Sequence, residues 1–298
     1  MKHILLRLLV FLLVLVLVGC DHNVKQEKAA FDNQMKIVEQ QEKAYYDVLE
    51  EVDLSQLKTI NPTDATEDNK ALIKNKKVAI KHILQPKFKA YQKAAKQLPT
   101  TNREWVALKT AYLEAVEKKG KSLEETECYV MLCLQLIESN ESILSYTQLF
   151  DAQRAKVETL IKASTASQNG ENESYQLEQY LIDQHTQIKT VAEGVLEEND
   201  EMKQSKKINQ DVIPRIEQSI KSLNQLHIDD PFVNKARQHA IQMYYELDSF
   251  YKMRAKSVAY SQRLSKMNIK QIIKTPDELE NYEKKYNDKN DEIESHLH

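Results

Sequence analysis

The segment VNKARQHAIQMYYELDSFYKMRAKSV, Val233–Val258, decides the fold class. At about 100° per residue, Val233, Ala236, Ala240, Met243, Tyr244, Leu247, Phe250, Tyr251 and Val258 fall on one arc roughly 100° wide. A continuous apolar stripe of that width is the core face of a helix, so Tyr244, Phe250 and Tyr251 belong to packing. The same geometry places Tyr245 about 160° from the centre of the stripe, beside Gln238, Asp248 and Lys252. Packing of the stripe leaves Tyr245 unexplained. Either a second helix covers that face, or Tyr245, Asp248 and Lys252 form an exposed recognition surface.

The helical period extends through the rest of the chain, and no stretch alternates as a strand would. The chain has 298 residues but only four glycines, with abundant Lys, Gln and Glu and 41% apolar residues, a composition that favours helix. The expected fold is all-α, an elongated bundle of about six helices. The first helix runs from about Val24 to Val52 and the second to about Gln97 with Pro86 inside it. The third is capped by Thr101 or Asn102, and Gly120 bends or breaks it. Nine of the ten residues from Cys128 to Ile137 are apolar, so that stretch is buried on all sides. The segment Ser164–Ser174 has the composition of a linker, and a fourth helical region around Pro214 follows it. The last helix opens on Thr275, Pro276 and Glu278, a capping-box arrangement, and is strongly charged. It is either a solvated peripheral helix or a partner-binding one.

Residues 83–98 align with residues 211–226 at an offset of 128, which matches Pro86 with Pro214 and Lys93 with Lys221. A four-residue insertion would further match Tyr112 with Tyr244. Two related helical halves, about 24–163 and 175–298 and joined by residues 164–174, are one reading; chance similarity between amphipathic helices is the other.

The N-terminus carries the most specific signal. Lys2 and Arg7 precede an apolar run from Leu8 to Val18, which ends at Gly19-Cys20. Eleven apolar residues suit a signal segment and are too few to span a bilayer core of about 30 Å. Leu17-Val18-Gly19-Cys20 resembles the bacterial lipobox. That resemblance implies cleavage after residue 19, a diacylglyceryl group with palmitate-type chains on the Cys20 thiol, and a mature chain of residues 20–298. Two acyl chains give stable anchoring where one is marginal. The expected location is the outer face of the cell membrane, and Lys-over-Arg, Asn-rich usage points to a Gram-positive source.

Taking Lys2 and Arg7 from the 42 basic residues leaves 40 against 45 acidic ones, a net charge of −5. That balance argues against nucleic acid as a partner. The histidines form neither HExxH nor an i, i+4 pair, so no metal is expected. So Gly-poor a chain holds no phosphate-cradling glycine loop. Ser249-Phe250-Tyr251-Lys252 fits S-x-x-K, but its companion motifs S-D-N and K-T-G are missing. No catalytic residue and no cofactor is therefore expected. Cys128 and Cys133 lie about 140° apart on a helix and cannot bridge; they read as buried, inert thiols.

The lipobox, the helical mature chain and Met243-Tyr244-Tyr245 together resemble the staphylococcal EMYY motif lipoproteins, with Gln242 where the name-giving Glu would stand. A looser resemblance is to the cell-wall-binding lipoproteins of bacilli. The resulting expectation is a non-enzymatic, lipid-anchored bundle that binds an envelope protein or a cell-wall polymer. The alternative is a small-ligand-binding lipoprotein with a pocket between the halves, near Tyr244 and Tyr245.

Overall fold

The computed structural model describes the backbone of residues 2–100, 103–166, 168–198 and 200–297, and their side chains except those of 2–25 and 297. The side chain of Cys20, those of the signal segment, and the capping pair Thr101 and Asn102 lie outside the described residues. Among the described residues the chain is all α, with no strand, and no helix there is long and apolar enough to cross a membrane.

The helices are α1 (Lys2–Val52), α2 (Glu67–Ala79), α3 (Gln85–Lys96), α4 (Arg103–Ser164), α5 (Gln168–Leu196) and α6 (Glu201–Lys207). They continue with α7 (Ile213–Gln225), α8 (Pro231–Ser265), α9 (Ile269–Ile272), α10 (Pro276–Glu280) and α11 (Lys284–Leu297). The number exceeds six because caps and prolines subdivide segments that periodicity reads as continuous. Asp200 accepts hydrogen bonds from the backbone N–H groups of Met202 and Lys203 and so starts α6, dividing the expected fourth helix.

Pro86 and Pro214 each follow a five-residue π-helical turn, Ile80–Leu84 and Ile208–Val212 respectively. Proline lacks an N–H, and its ring crowds the carbonyl four residues back. Widening the turn by one residue lets the Gln85 N–H reach the Ile80 carbonyl and the Ile213 N–H reach that of Ile208.

Gly120 does not break α4. A Cβ there would stand 2.9 Å from Cε1 of Phe88, so the missing side chain lets α3 press its ring against α4. Of the expected linker Ser164–Ser174, Ser164 ends α4 and residues 168–174 are already helical in α5. Ser164 and Ser174 are buried, and the Ser164 hydroxyl donates to the Ile161 carbonyl at 2.7 Å. Small polar residues close a tight helix–helix turn as readily as they loosen a linker.

Contacts divide the chain into two compact units whose boundaries differ from the expected halves. The first comprises Met1–Thr59, Lys74–Cys128 and Ile269–His298; the second comprises Ile60–Ile73 and Tyr129–Asn268. In the first, Phe31, Val38 and Tyr45 of α1 meet Phe88 and Tyr91 of α3 and Trp105 and Tyr112 of α4. Phe31 stacks on Trp105 at 5.0 Å, and Tyr45 meets the edge of Phe88 at 5.4 Å. Each such side chain contributes roughly 1.5–3 kcal/mol by burial.

In the second unit, α5, α7, α8 and the C-terminal part of α4 share one apolar core. Polar contacts fix their register: His239 Nδ1 lies 2.8 Å from Gln153 Oε1, and Ser257 donates to Asn140 at 2.8 Å. Arg237 donates to the Leu223 and Asn224 carbonyls, both at 3.2 Å, which caps the C-terminal end of α7 with a cation. Asp230 caps α8, with Pro231 at its first position. From Cys128 to Ile137 seven of the ten residues are buried, while Cys128 and Gln135 are half-buried and Met131 is exposed, so one edge of the stretch expected to be buried on all sides reaches solvent.

Candidate functional site

Helix α8 sorts its aromatic segment into two environments. Met243 and Tyr244 are buried in the core of the second unit, and Leu247, Phe250 and Tyr251 are half-buried. Tyr245 is 48% exposed, so no helix of its unit covers it. Asp248 has a different fate: only 8% of it is exposed, because α7 packs alongside. One of its oxygens takes Lys252 at 2.7 Å, and the other has no hydrogen-bond partner. Lys252 also reaches Glu217 of α7 at 3.8 Å. Of the three candidate recognition residues, Tyr245 faces solvent, while Asp248 and Lys252 are held in an ion pair with each other.

The buried side of the same segment lines a cleft of about 540 Å³ inside the second unit. Val157 and Ile161 of α4 form one wall and Leu181 and Ile188 of α5 another. Met243, Tyr244 and Leu247 close it from α8. Arg154, Glu158, Glu178 and His185 are the charged and titratable residues of its lining, and Ile182 stands exposed at its lip. The volume falls in the usual range for small-molecule sites, roughly 300–1,000 Å³. Tyr244 is the polar group within the apolar part of the lining. Burial raises its pKa above the ordinary phenol range. A larger groove of about 900 Å³ in the first unit, beside Phe88 and Gly120, is walled by solvated Glu and Lys side chains and holds no comparable buried polar group.

The first unit contains a buried charge cluster. Lys119 of α4 is fully buried and hydrogen-bonded to two carboxylates, Glu42 of α1 and Glu283 in the turn Asn281–Glu283 between α10 and α11. Its ammonium lies over the rings of Tyr46 and Tyr91 at 5.3 and 5.5 Å. Tyr112 donates to Glu42 at 3.2 Å, and the Tyr91 and Tyr112 hydroxyls meet at 3.0 Å. Burial and the repulsion of Glu42 raise Glu283 to about 7, against the pull of Lys119. Burial also works against the charge of Glu42, but the field and hydrogen bonds of Lys119 outweigh it and hold that carboxyl below its ordinary value. One cation serves two carboxylates, so Glu42 takes the charge and Glu283 retains a proton up to neutral pH. The cluster fastens the C-terminal segment to α1 and α4, aided by the Tyr286–Tyr112 ring contact at 4.9 Å and the Lys28–Glu294 pair at 2.6 Å. The last helix is therefore docked rather than peripheral.

A family model for EMYY-motif containing lipoproteins matches residues 1–294. The chain belongs to that family. Among curated proteins and among solved structures nothing matches. Membership of the EMYY-motif lipoproteins carries attachment to a membrane through lipid. At the first motif position Gln242 is exposed and donates to Glu246 one turn on at 2.5 Å, so this chain keeps a carboxylate beside its Met-Tyr-Tyr. Within the motif, Met243 and Tyr244 build the cleft and Tyr245 is the surface residue.

Sequence reasoning missed the Lys119 cluster, although a signal was present. Lys119 continues the stripe Trp105, Leu108, Tyr112, Ala115 and Val116 of α4, and a lysine on a core stripe demands buried counter-ions. The cleft carried no such signal, because Met243, Tyr244 and Leu247 read as ordinary core. Among the described residues no group of three His, Cys, Asp or Glu is placed to hold a metal.

Proposed function

We propose that this lipoprotein is a non-enzymatic binding protein, anchored by lipid on Cys20 to the outer face of the cell membrane, whose mature chain of residues 20–298 takes a small ligand in the apolar cleft of its second unit. The observation that carries the reading is the cleft of about 540 Å³ walled by apolar side chains of α4, α5 and α8, with the motif residues Met243 and Tyr244 in its lining. An apolar pocket with one well-placed polar group is the usual form of a small-molecule site. The pocket lies within one unit, so it requires no arrangement of the two. The test is titration of the mature chain, carrying Cys20→Ala so that no lipid competes, with the neutral dye Nile red. The expected result is saturable binding that Ile182→Gln weakens about threefold or more through lost apolar contact, with the circular dichroism spectrum unchanged. Binding indifferent to that change would refute the site. Cys20→Ala in cells should also release the chain from membranes; continued fractionation with them would refute anchoring at Cys20.

A second reading rests on Tyr245, whose 48% exposure places an aromatic ring on the surface directly behind the cleft-lining residues. Here α8 docks an envelope protein or cell-wall polymer through Tyr245. Tyr245→Ala should then abolish crosslinking to the partner without changing the affinity for Nile red.

A further inference from the structure

The charges around the cleft say what kind of ligand it suits. Arg154 is already paired, with Glu158 at 3.3 Å and with Asp151 at 3.9 Å. Its charge is offset by these neighbouring carboxylates. Glu178, one turn before Ile182 on the α5 face that lines the cleft, has no ion-pair or hydrogen-bond partner among the described residues. The fixed charges of the lining are thus two carboxylates and one guanidinium, and one carboxylate is uncompensated. Between that carboxylate and the apolar walls sits the open lip at Ile182.

We propose that the cleft takes an amphiphilic cation, a small molecule whose apolar body enters between α4, α5 and α8 and whose ammonium group pairs with Glu178. Burying an alkyl body supplies the larger share of affinity, about 0.8 kcal/mol per CH₂. The charge supplies selectivity instead. An ammonium meets an unpaired carboxylate, whereas an anionic head meets a lining whose two carboxylates outnumber its one guanidinium. An exposed pair of this type changes affinity about 1.5- to 5-fold.

This inference rests on the cleft being a ligand site, and the experiment separates the two. The mature chain with Cys20→Ala is titrated calorimetrically with decyltrimethylammonium, decanol and decanoate, each below its micellar concentration. The expected order of affinity is cation, then alcohol, then carboxylate, with the cation ahead of the alcohol by about 1.5- to 5-fold. Glu178→Gln, a substitution at an exposed position, should erase the lead of the cation and leave decanol unchanged. Ile182→Gln should weaken all three. Equal affinities, or a lead for decanoate, would overturn the cation assignment and leave the cleft standing. A cation lead that survives Glu178→Gln would overturn it as well, by placing the charge elsewhere. Binding of none of the three would overturn the cleft itself.

Discussion

Replacing Glu283 by glutamine should change how stability depends on pH while the fold persists, since a glutamine carbonyl can still accept from Lys119. In the unfolded chain the carboxyl titrates near 4.5; in the folded chain burial and the neighbouring Glu42 raise it to about 7. Between those values the folded state holds a proton that the unfolded state has released. Stability therefore falls as pH rises from 4.5 through 7. The difference in proton affinity corresponds to as much as about 3 kcal/mol, at about 1.4 kcal/mol per tenfold. Glu42 acts in the opposite sense. Its folded value is depressed, so its contribution is present above 4.5 and is lost only as pH drops through its lower folded value. The other groups facing the cluster are Tyr46 of α1, Tyr91 of α3, Tyr112 and Lys119 of α4, Glu280 of α10 and Tyr286 of α11. Burial raises all four tyrosines above the ordinary phenol range, so none ionises in this window. The assay is urea unfolding of the mature chain and of Glu283→Gln at pH 5 and pH 8, followed by circular dichroism. From pH 5 to pH 8 the parent should lose up to about 3 kcal/mol more than the variant. Parallel losses in the two proteins would show that Glu283 titrates as an ordinary surface acid, and the shared-proton account would fail.

Three further outcomes follow from the same contacts. Lys119→Met leaves two buried carboxylates without their cation and should cost about 3–5 kcal/mol at pH 7, with partial recovery at pH 5, measured by the same unfolding experiment. Gly120→Ala places a methyl 2.9 Å from a Phe88 ring that Tyr45 and Tyr91 already confine; overpacking should outweigh the gain in helix propensity, lowering stability by about 1 kcal/mol or more, and Phe88→Leu in the same chain should relieve it. Burial pushes the Cys133 thiol up to about 11, so at pH 8 an aromatic disulfide reagent should label Cys133 only after denaturation, whereas half-buried Cys128 reacts sooner.

The fold class was legible because one physical signal, the 3.6-residue period, dominates from Phe31 to Val258, and the buried residues fall where that period puts them. The capping box at Thr275 was legible for the same local reason, since it is complete within four residues. What escaped was non-local. The burial of Asp248 depends on α7 lying alongside α8, and no pattern within α8 encodes that neighbour. Gly120 illustrates the same limit: a glycine inside a helix signals either a break or a close approach, and only the position of Phe88 decides. The docking of the last helix rests on three residues more than 70 positions apart, Glu42, Lys119 and Glu283, of which only the lysine stands out against its stripe.

The offset of 128 residues acquires a physical meaning once burial is known. The two π turns, the prolines that follow them and the starts of α4 and α8 are each separated by 128 residues. Buried positions coincide at the same offset with no insertion: Ile80 with Ile208, Leu84 with Val212, Phe88 with Ile216, Leu108 with Ala236, and Val116 with Tyr244. The ungapped register replaces the one that matched Tyr112 with Tyr244, because a four-residue shift would break the agreement of the helix starts. α3 with the first part of α4, and α7 with α8, thus share one hairpin pattern, each preceded by a π turn. The register then sets Lys119 against Leu247. In the first hairpin that position of the inner face holds a cation, and Glu42 and Glu283 close over it. In the second it holds an apolar side chain beside Tyr244, and no counter-ion closes over the space.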